Sequence, residues 1–456
     1  MRFLNKLFPK ANVRTAGNRM KMIGIFCVAL VAMLVNPIVR IFNSYVNIAI
    51  IICIAAVCFC SHRFLAVTED NSLVISAKGL FVIDRKAPKK YLWLLVLVAT
   101  AMGYIKGSWR MGNLIDLVVI GIGILMIIDA PDSLSGYKIV MRVFVAFSLV
   151  YAIGIWVEVF LPNLHDKYID LLSHSGVPYK AFENYYTGFA TNPQFAAGYI
   201  SLGVFALVAE LPHKRPVSIV MLAFLLYTLL YTGVRMQVAV IYVLVVLMLY
   251  VFVPKKKWVM LSALLCVVIA AVWLAAVFFP EQMGTIPVFR RLYFTAEKLQ
   301  NGENISSGRS ALHQLAWTLF KQNPVFGIGW GNFREMVPGT VTQVTRFDVH
   351  CIYLQVLCEI GVVGFLCYCP ALLYTGFKTL KEYIVQIKIG KKTMESRVLG
   401  FSLLYQIYFF GTGILDNTLY SLSILIPYLI SCGMLYAYLH SISGTQKTKV
   451  QINERQ

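Results

Sequence analysis

The residues able to do chemistry in this chain are a few arginines and one histidine, set at the edges of hydrophobic runs. Arg235 stands in Tyr231-Thr232-Gly233-Val234-Arg235-Met236-Gln237, where one apolar stretch ends and the next begins. Arg309 follows Ser306-Ser307-Gly308, just ahead of an amphipathic segment, and Arg290 and Arg291 come soon after another apolar run. A guanidinium stays charged and offers a planar fork of donors, which suits a phosphate or pyrophosphate. An arginine at a membrane edge can equally snorkel to headgroups, so position alone leaves both readings open for Arg235. His350 stands where a long connection re-enters an apolar run, within a few residues of Arg346 and Asp348. A histidine there is either a structural hydrogen-bonding residue or a general base. Glu359 follows in the same run, roughly 13–14 Å deeper at the helical rise. A carboxylate at that depth must face the protein interior, as a structural hydrogen-bond partner or as part of a polar pathway.

Other patterns carry less. Gly327-Ile328-Gly329-Trp330-Gly331 has nucleotide-loop glycine spacing, but no buried strand or βαβ pattern surrounds it. It reads as a tight, backbone-rich turn after Asn323-Pro324. The ten cysteines lie almost entirely within apolar runs. Cys58/Cys60 and Cys367/Cys369 are two apart, on different helix faces, and neither pair has metal-ligand spacing. No disulfide framework and no metal site are expected, and no cofactor motif is present.

The elements that must position these residues are membrane spans. The chain has 456 residues, 59% hydrophobic and 14% charged, and its long runs are apolar on every side. This composition predicts an all-α polytopic membrane protein of about twelve transmembrane helices, one integral membrane domain over 1–456. The spans are expected near 22–39, 44–60, 91–105, 111–129, 141–161, 195–210, 216–231, 236–253, 258–279, 352–373, 398–415 and 419–440. The formal charge of +20 does not indicate nucleic acid, because the bases sit between spans. They gather in the N-terminal tail, 61–90, Lys255–Lys257 and 378–397, which predicts cytoplasmic termini. The first apolar run ends in Asn36-Pro37 with no small-residue cleavage site, so no cleaved signal peptide is expected. Two outer segments, 162–194 and 280–350, are too long to be simple connectors. The second, between spans nine and ten, contains an amphipathic stretch from Ser310 to Gln322 with Leu312, Leu315, Ala316 and Leu319 at helical spacing.

In order along the chain, Ser307-Gly308-Arg309, then Asn323-Pro324-Val325-Phe326-Gly327-Ile328-Gly329-Trp330-Gly331-Asn332-Phe333, then His350 with Tyr353-Leu354-Gln355, then Glu359-Ile360-Gly361 resemble the signature region of the O-antigen ligase and polymerase superfamily. Arg235 and the Thr191-Asn192-Pro193-Gln194 turn also resemble family positions. The resemblance implies a glycosyltransferase in the bacterial cytoplasmic membrane, acting at its outer face, with an undecaprenyl-pyrophosphate-linked glycan as donor. It implies that Arg235 and Arg309 neutralise the pyrophosphate leaving group and that His350 serves the acceptor hydroxyl, with inversion and without a metal. Arg290, Arg291, Arg346, Asn192, Gln194, Trp330 and Asn332 are the expected substrate contacts. The implied partners are the bilayer, the lipid-linked donor, a glycan or lipid-linked acceptor and a chain-length regulator. The family usually has Asn immediately after the histidine, and this chain has Cys351. Polymerisation of repeat units into O-antigen or capsular polysaccharide is the preferred activity. The alternative is a ligase that transfers the finished glycan to lipid A core or another acceptor. A transporter using Glu359 and His350 is a third class, against which no symmetric pair of broken helices is found.

Overall fold

The computed structural model describes residues 13–42, 65–67, 73–75, 88–107, 109, 111–173, 185–190, 192–213, 215–303, 308–337 and 348–453. Its helices are α1 (Val13–Phe42), α2 (Trp93–Lys106), α3 (Met111–Ile128), α4 (Ser135–Phe160), α5 (Pro162–Ser173), α6 (Pro193–Glu210), α7 (Pro216–Tyr231), α8 (Arg235–Phe252) and α9 (Trp258–Phe278). They continue with α10 (Pro280–Gly284), α11 (Pro287–Gln300), α12 (Arg309–Gln322), α13 (Phe333–Met336), α14 (Ile352–Ile389), α15 (Met394–Thr412) and α16 (Leu422–Asn453). Two three-residue strands, Leu65–Val67 and Leu73–Ile75, pair antiparallel. The chain is otherwise an all-α, multi-pass membrane protein.

The expected spans fall on helices, except 44–60, which lies outside the described residues. Six of the helices are both long and apolar enough to cross a bilayer among the described residues. The core is built on α6 and α16, which pack with α4, α15 and α3. Small residues on α6, among them Ala196, Ala197, Gly198 and Gly203, let neighbours approach closely, and the Ser148 hydroxyl of α4 bonds the Tyr199 carbonyl at 2.6 Å. By contrast α9 is apolar all round and buries almost none of its surface in protein. Such a helix is stable only where lipid covers it.

The connections differ from expectation in two places. The 280–350 segment contains α11 as well as the expected amphipathic helix, with Pro287 at its N-terminus where a proline is well tolerated. The helix expected at 352–373 runs on to Ile389, because 374–389 is itself helical despite Lys378, Lys381 and Lys388.

One break in α14 sets the geometry of the site. Gly361 has φ 68° and ψ −171°, a conformation only glycine holds comfortably. The break leaves carbonyls and amides of α14 without helical partners, and the 324–329 turn takes them up. Ile328 N donates to Cys358 O at 2.9 Å and Gly329 N to Glu359 O at 2.8 Å. On the other side of the break, Val362 N donates to Pro324 O at 2.9 Å and Val363 N to Val325 O at 3.2 Å. The two backbones are so close that a Cβ at Gly361 would lie 2.3 Å from the Val325 carbonyl oxygen. Gly361→Ala is expected to destabilise the protein by about 3 kcal/mol through strain and lost docking of this turn. Thermal unfolding in detergent checks this: an unchanged melting temperature would show that the turn does not depend on the break.

Candidate functional site

Three guanidiniums converge on the face of the bundle that carries the 280–350 segment. Arg235 opens α8, and its Nη1 donates to the Thr295 hydroxyl of α11 and to the Arg291 carbonyl at 3.5 Å. Arg291, also on α11, donates from Nη1 to Gly233 O at 2.8 Å, so α11 and the turn before α8 hold each other. The Arg291 guanidinium lies over the Tyr185 ring, 4.3 Å from its centroid. Burial pushes the Arg291 group below its ordinary pKa, the Tyr185 phenol opposes this, and the Arg235 and Arg309 charges lower it further. An arginine nonetheless stays charged.

Two of these arginines are placed against the usual electrostatics of helices. Arg235 and Arg309 are the first residues of α8 and α12, and neither helix has an acidic residue in its first turn. A helix N-terminus already carries partial positive charge, so a cation there is unfavourable unless an anion sits nearby. Among the described residues no carboxylate forms an ion pair with Arg235, Arg291 or Arg309. Among the described residues the cluster thus has no carboxylate counter-ion, which suits it to a compact polyanion.

The histidine is linked to the same helix, α8, through Asp416 and Gln237. His350 has φ 57°, the one left-handed non-glycine residue among the described residues, and its Nδ1 stands 3.9 Å from Asp416 Oδ1. Asp416 sits in the short connection between α15 and α16. Its Oδ1 accepts from Asn417 N at 2.8 Å, and its Oδ2 accepts from Gln237 Nε2 at 3.2 Å. The Tyr408 hydroxyl in turn donates to Gln237 Oε1 at 3.2 Å. The first turn of α8 thus touches both groups, the arginine pocket through Arg235 and the histidine–aspartate pair through Gln237.

Glu359 ties this arrangement to the 324–333 turn. Its carboxylate accepts from Gly331 N at 2.8 Å, Phe333 N at 3.2 Å, Gln355 Nε2 at 3.0 Å and the Tyr420 hydroxyl. Gln355 Oε1 accepts from Asn417 Nδ2 at 2.8 Å and Val349 N at 2.9 Å, so the network reaches the residues on either side of His350 and Asp416. Of the two readings open for Glu359, the geometry is that of a hydrogen-bond partner. Nearby, Arg334 forms a fork to Asp348 at 2.5 and 2.8 Å. Burial works against the Arg334 charge, but Asp348 outweighs it and holds the group above its ordinary pKa.

The remaining expected contacts are distributed differently. Trp330 is fully buried and stacked on Tyr420 with ring centroids 4.6 Å apart, so it packs the turn and cannot meet a glycan from this position. Asn332 Nδ2 donates to Ile328 O at 2.8 Å within the same turn. Asn192 caps α6 by accepting from Gln194 N at 2.8 Å. Arg290 Nε donates to Gly284 O at 2.7 Å, tying α11 back to α10. Arg346 lies outside the described residues. Asp416 and Tyr185 are the residues that sequence reasoning missed. Asp416 had a faint signal, as an acidic residue in a very short connection between two spans.

A multi-pass helical membrane protein with a guanidinium cluster and a histidine–carboxylate pair, both touched by the first turn of α8, is the class that fold and site define. Residues 220–369 match the family described as O-antigen ligase. The matched stretch contains Arg235, Arg291, Arg309, His350 and Glu359, and it supports the O-antigen ligase and polymerase superfamily, whose members are membrane glycosyltransferases. No curated protein matches the chain.

Cys351 is the N-cap residue of α14, in an extended conformation and without a side-chain cap bond. Asparagine at this position accepts a hydrogen bond from the first helical turn. Cys351→Asn is expected to stabilise the protein by about 1 kcal/mol without loss of activity. A lower melting temperature for this variant would mean that the position does not act as a cap.

Proposed function

We propose that this protein polymerises undecaprenyl-pyrophosphate-linked oligosaccharide repeat units into O-antigen or capsular polysaccharide at the outer face of the bacterial cytoplasmic membrane, with both termini cytoplasmic. The observation that carries the reading is the clustering of Arg235, Arg291 and Arg309 without a carboxylate partner among the described residues, joined through the first turn of α8 to Asp416 and His350. In the reaction an acceptor hydroxyl attacks the anomeric carbon of the donor glycan, and the bond from that carbon to the pyrophosphate oxygen breaks. Negative charge grows on the leaving pyrophosphate, where the three guanidiniums stabilise it more strongly than in the ground state. The hydroxyl proton passes to His350 Nε2, and Asp416 faces the opposite ring nitrogen at 3.9 Å, favouring the tautomer with its proton on Nδ1. Attack opposite the leaving group inverts the anomeric centre, and the guanidiniums supply the charge neutralisation this step requires.

A ligase uses the same clamp and base with a different acceptor, and the matching family, described as O-antigen ligase, does not separate the two readings. Polymerisation is preferred because the donor and acceptor are then the same lipid-linked species in one membrane. The reading is tested with purified protein in proteoliposomes supplied with the native lipid-linked repeat unit alone. A ladder of longer lipid-linked glycans is expected. Arg309→Ala and Arg291→Ala should each cut the rate by about two to three orders of magnitude, as loss of a preorganised charge donor does. Asp416→Asn should lower kcat by about tenfold or more while leaving donor KM nearly unchanged. Product only after addition of lipid A core would mean a ligase, and no product with either acceptor would overturn the glycosyltransferase assignment.

A further inference from the structure

A second site lies away from the arginine pocket, in a furrow of about 380 Å³ between α2 and α14. Gly103 and Gly364 border it, each packed against the Ile360 side chain, Met102, Phe326 and Val363 line it, and Lys106 is its one charged residue among the described residues. Met102, Phe326 and Val363 are exposed on the protein surface, so the furrow is open along its side to lipid. Its volume is in the range of sites that hold a ligand, about 300–1,000 Å³. Lys106 is in the last turn of α2, where a cation is favoured by the helix dipole. Its ammonium donates to the Gly327 carbonyl and has further donors to offer an anion. An apolar channel with one fixed cation at its end matches an anionic lipid whose chain lies in the furrow and whose headgroup meets Lys106.

The geometry of glycan transfer says which lipid. The donor's pyrophosphate is attached to the carbon that reacts, so it must lie beside His350. The acceptor's reacting hydroxyl is at the other end of its repeat unit, so its own pyrophosphate must be held a short oligosaccharide away. Gly327 packs against Glu359, which lies about 13 Å along α14 from His350 at the helical rise. We propose that the α2–α14 furrow, with Lys106 at its end, holds the polyprenyl pyrophosphate of the acceptor while the arginine pocket holds that of the donor. The proposal rests on the polymerising function given above.

Titration of the full chain in lipid nanodiscs with undecaprenyl pyrophosphate, read by native mass spectrometry, tests it independently of turnover. The wild type is expected to take up two molecules. Lys106→Gln, which keeps a donor for Gly327 O but removes the charge, should weaken one of the two bindings by about tenfold. Cys367→Trp, which fills the furrow, should remove the same one, and Arg309→Ala should weaken the other. An excess of phosphatidylglycerol should displace neither. Retention of both molecules in Lys106→Gln and Cys367→Trp would overturn the acceptor site while leaving the arginine pocket standing. Equal displacement by phosphatidylglycerol would make the furrow an ordinary lipid contact and would also overturn it. Loss of binding only in the furrow variants, with no effect of Arg309→Ala, would contradict the donor site and the proposed function instead.

Discussion

The buried carboxylate of Glu359 is the constraint on which the site depends. A carboxyl group away from water is costly unless its oxygens are hydrogen-bonded, and here two backbone amides, a glutamine amide and a tyrosine hydroxyl donate to it. Two of those donors, Gly331 N and Phe333 N, belong to the turn that follows α12, so satisfying the carboxyl oxygens also fixes the turn. The break at Gly361 completes the attachment, because the carbonyls it releases accept from Ile328 and Gly329. Trp330 N donates to Gly103 O at 2.8 Å, and the same turn thereby anchors the end of α2. Through Gln355 and Asn417 the network continues to Asp416, and so to His350. A carboxyl group inside the bundle thus orders the residues that would do the chemistry.

The two halves of the site are opposite in their electrostatics. Around Arg235, Arg291 and Arg309 positive charge accumulates, from the side chains and from the ends of α8 and α12, without an acidic partner among the described residues. Around His350 the nearby polar groups are a carboxylate, a glutamine and an asparagine, arranged to orient rather than to neutralise. Keeping the two apart matters, since a carboxylate within the arginine pocket would compete with a phosphate for the same donors. The first turn of α8 performs the separation, with Arg235 directed to α11 and Gln237 to Asp416.

Much of the fold was legible because lipid imposes a simple rule, that long apolar runs are helices. The arginines were legible individually as charges at the ends of spans, and Glu359 as a carboxylate too deep to face lipid. What linear spacing could not convey was partnership. Trp330 and Asn192 are polar-capable residues next to a motif, yet one packs on Tyr420 and the other caps α6, roles that depend on segments distant in sequence. Asp416 becomes visible only when the α15–α16 connection is brought to His350, and the placement of Arg291 beside Arg235 and Tyr185 only when α11 forms in what reads as a loop. The continuation of α14 past 373 was obscured because its lysines resemble a cytoplasmic connector, although they sit on a helix.

The central claim is that the three guanidiniums form the cradle for a lipid-linked pyrophosphate beside His350. A cryo-electron-microscopy structure of the protein with a non-reactive polyprenyl pyrophosphate glycan bound would test it most directly. The account requires both phosphates in hydrogen-bond contact with Arg235, Arg291 or Arg309, and the anomeric carbon on the side facing His350. Pyrophosphate density elsewhere, with the three arginines engaged only by protein, would contradict it.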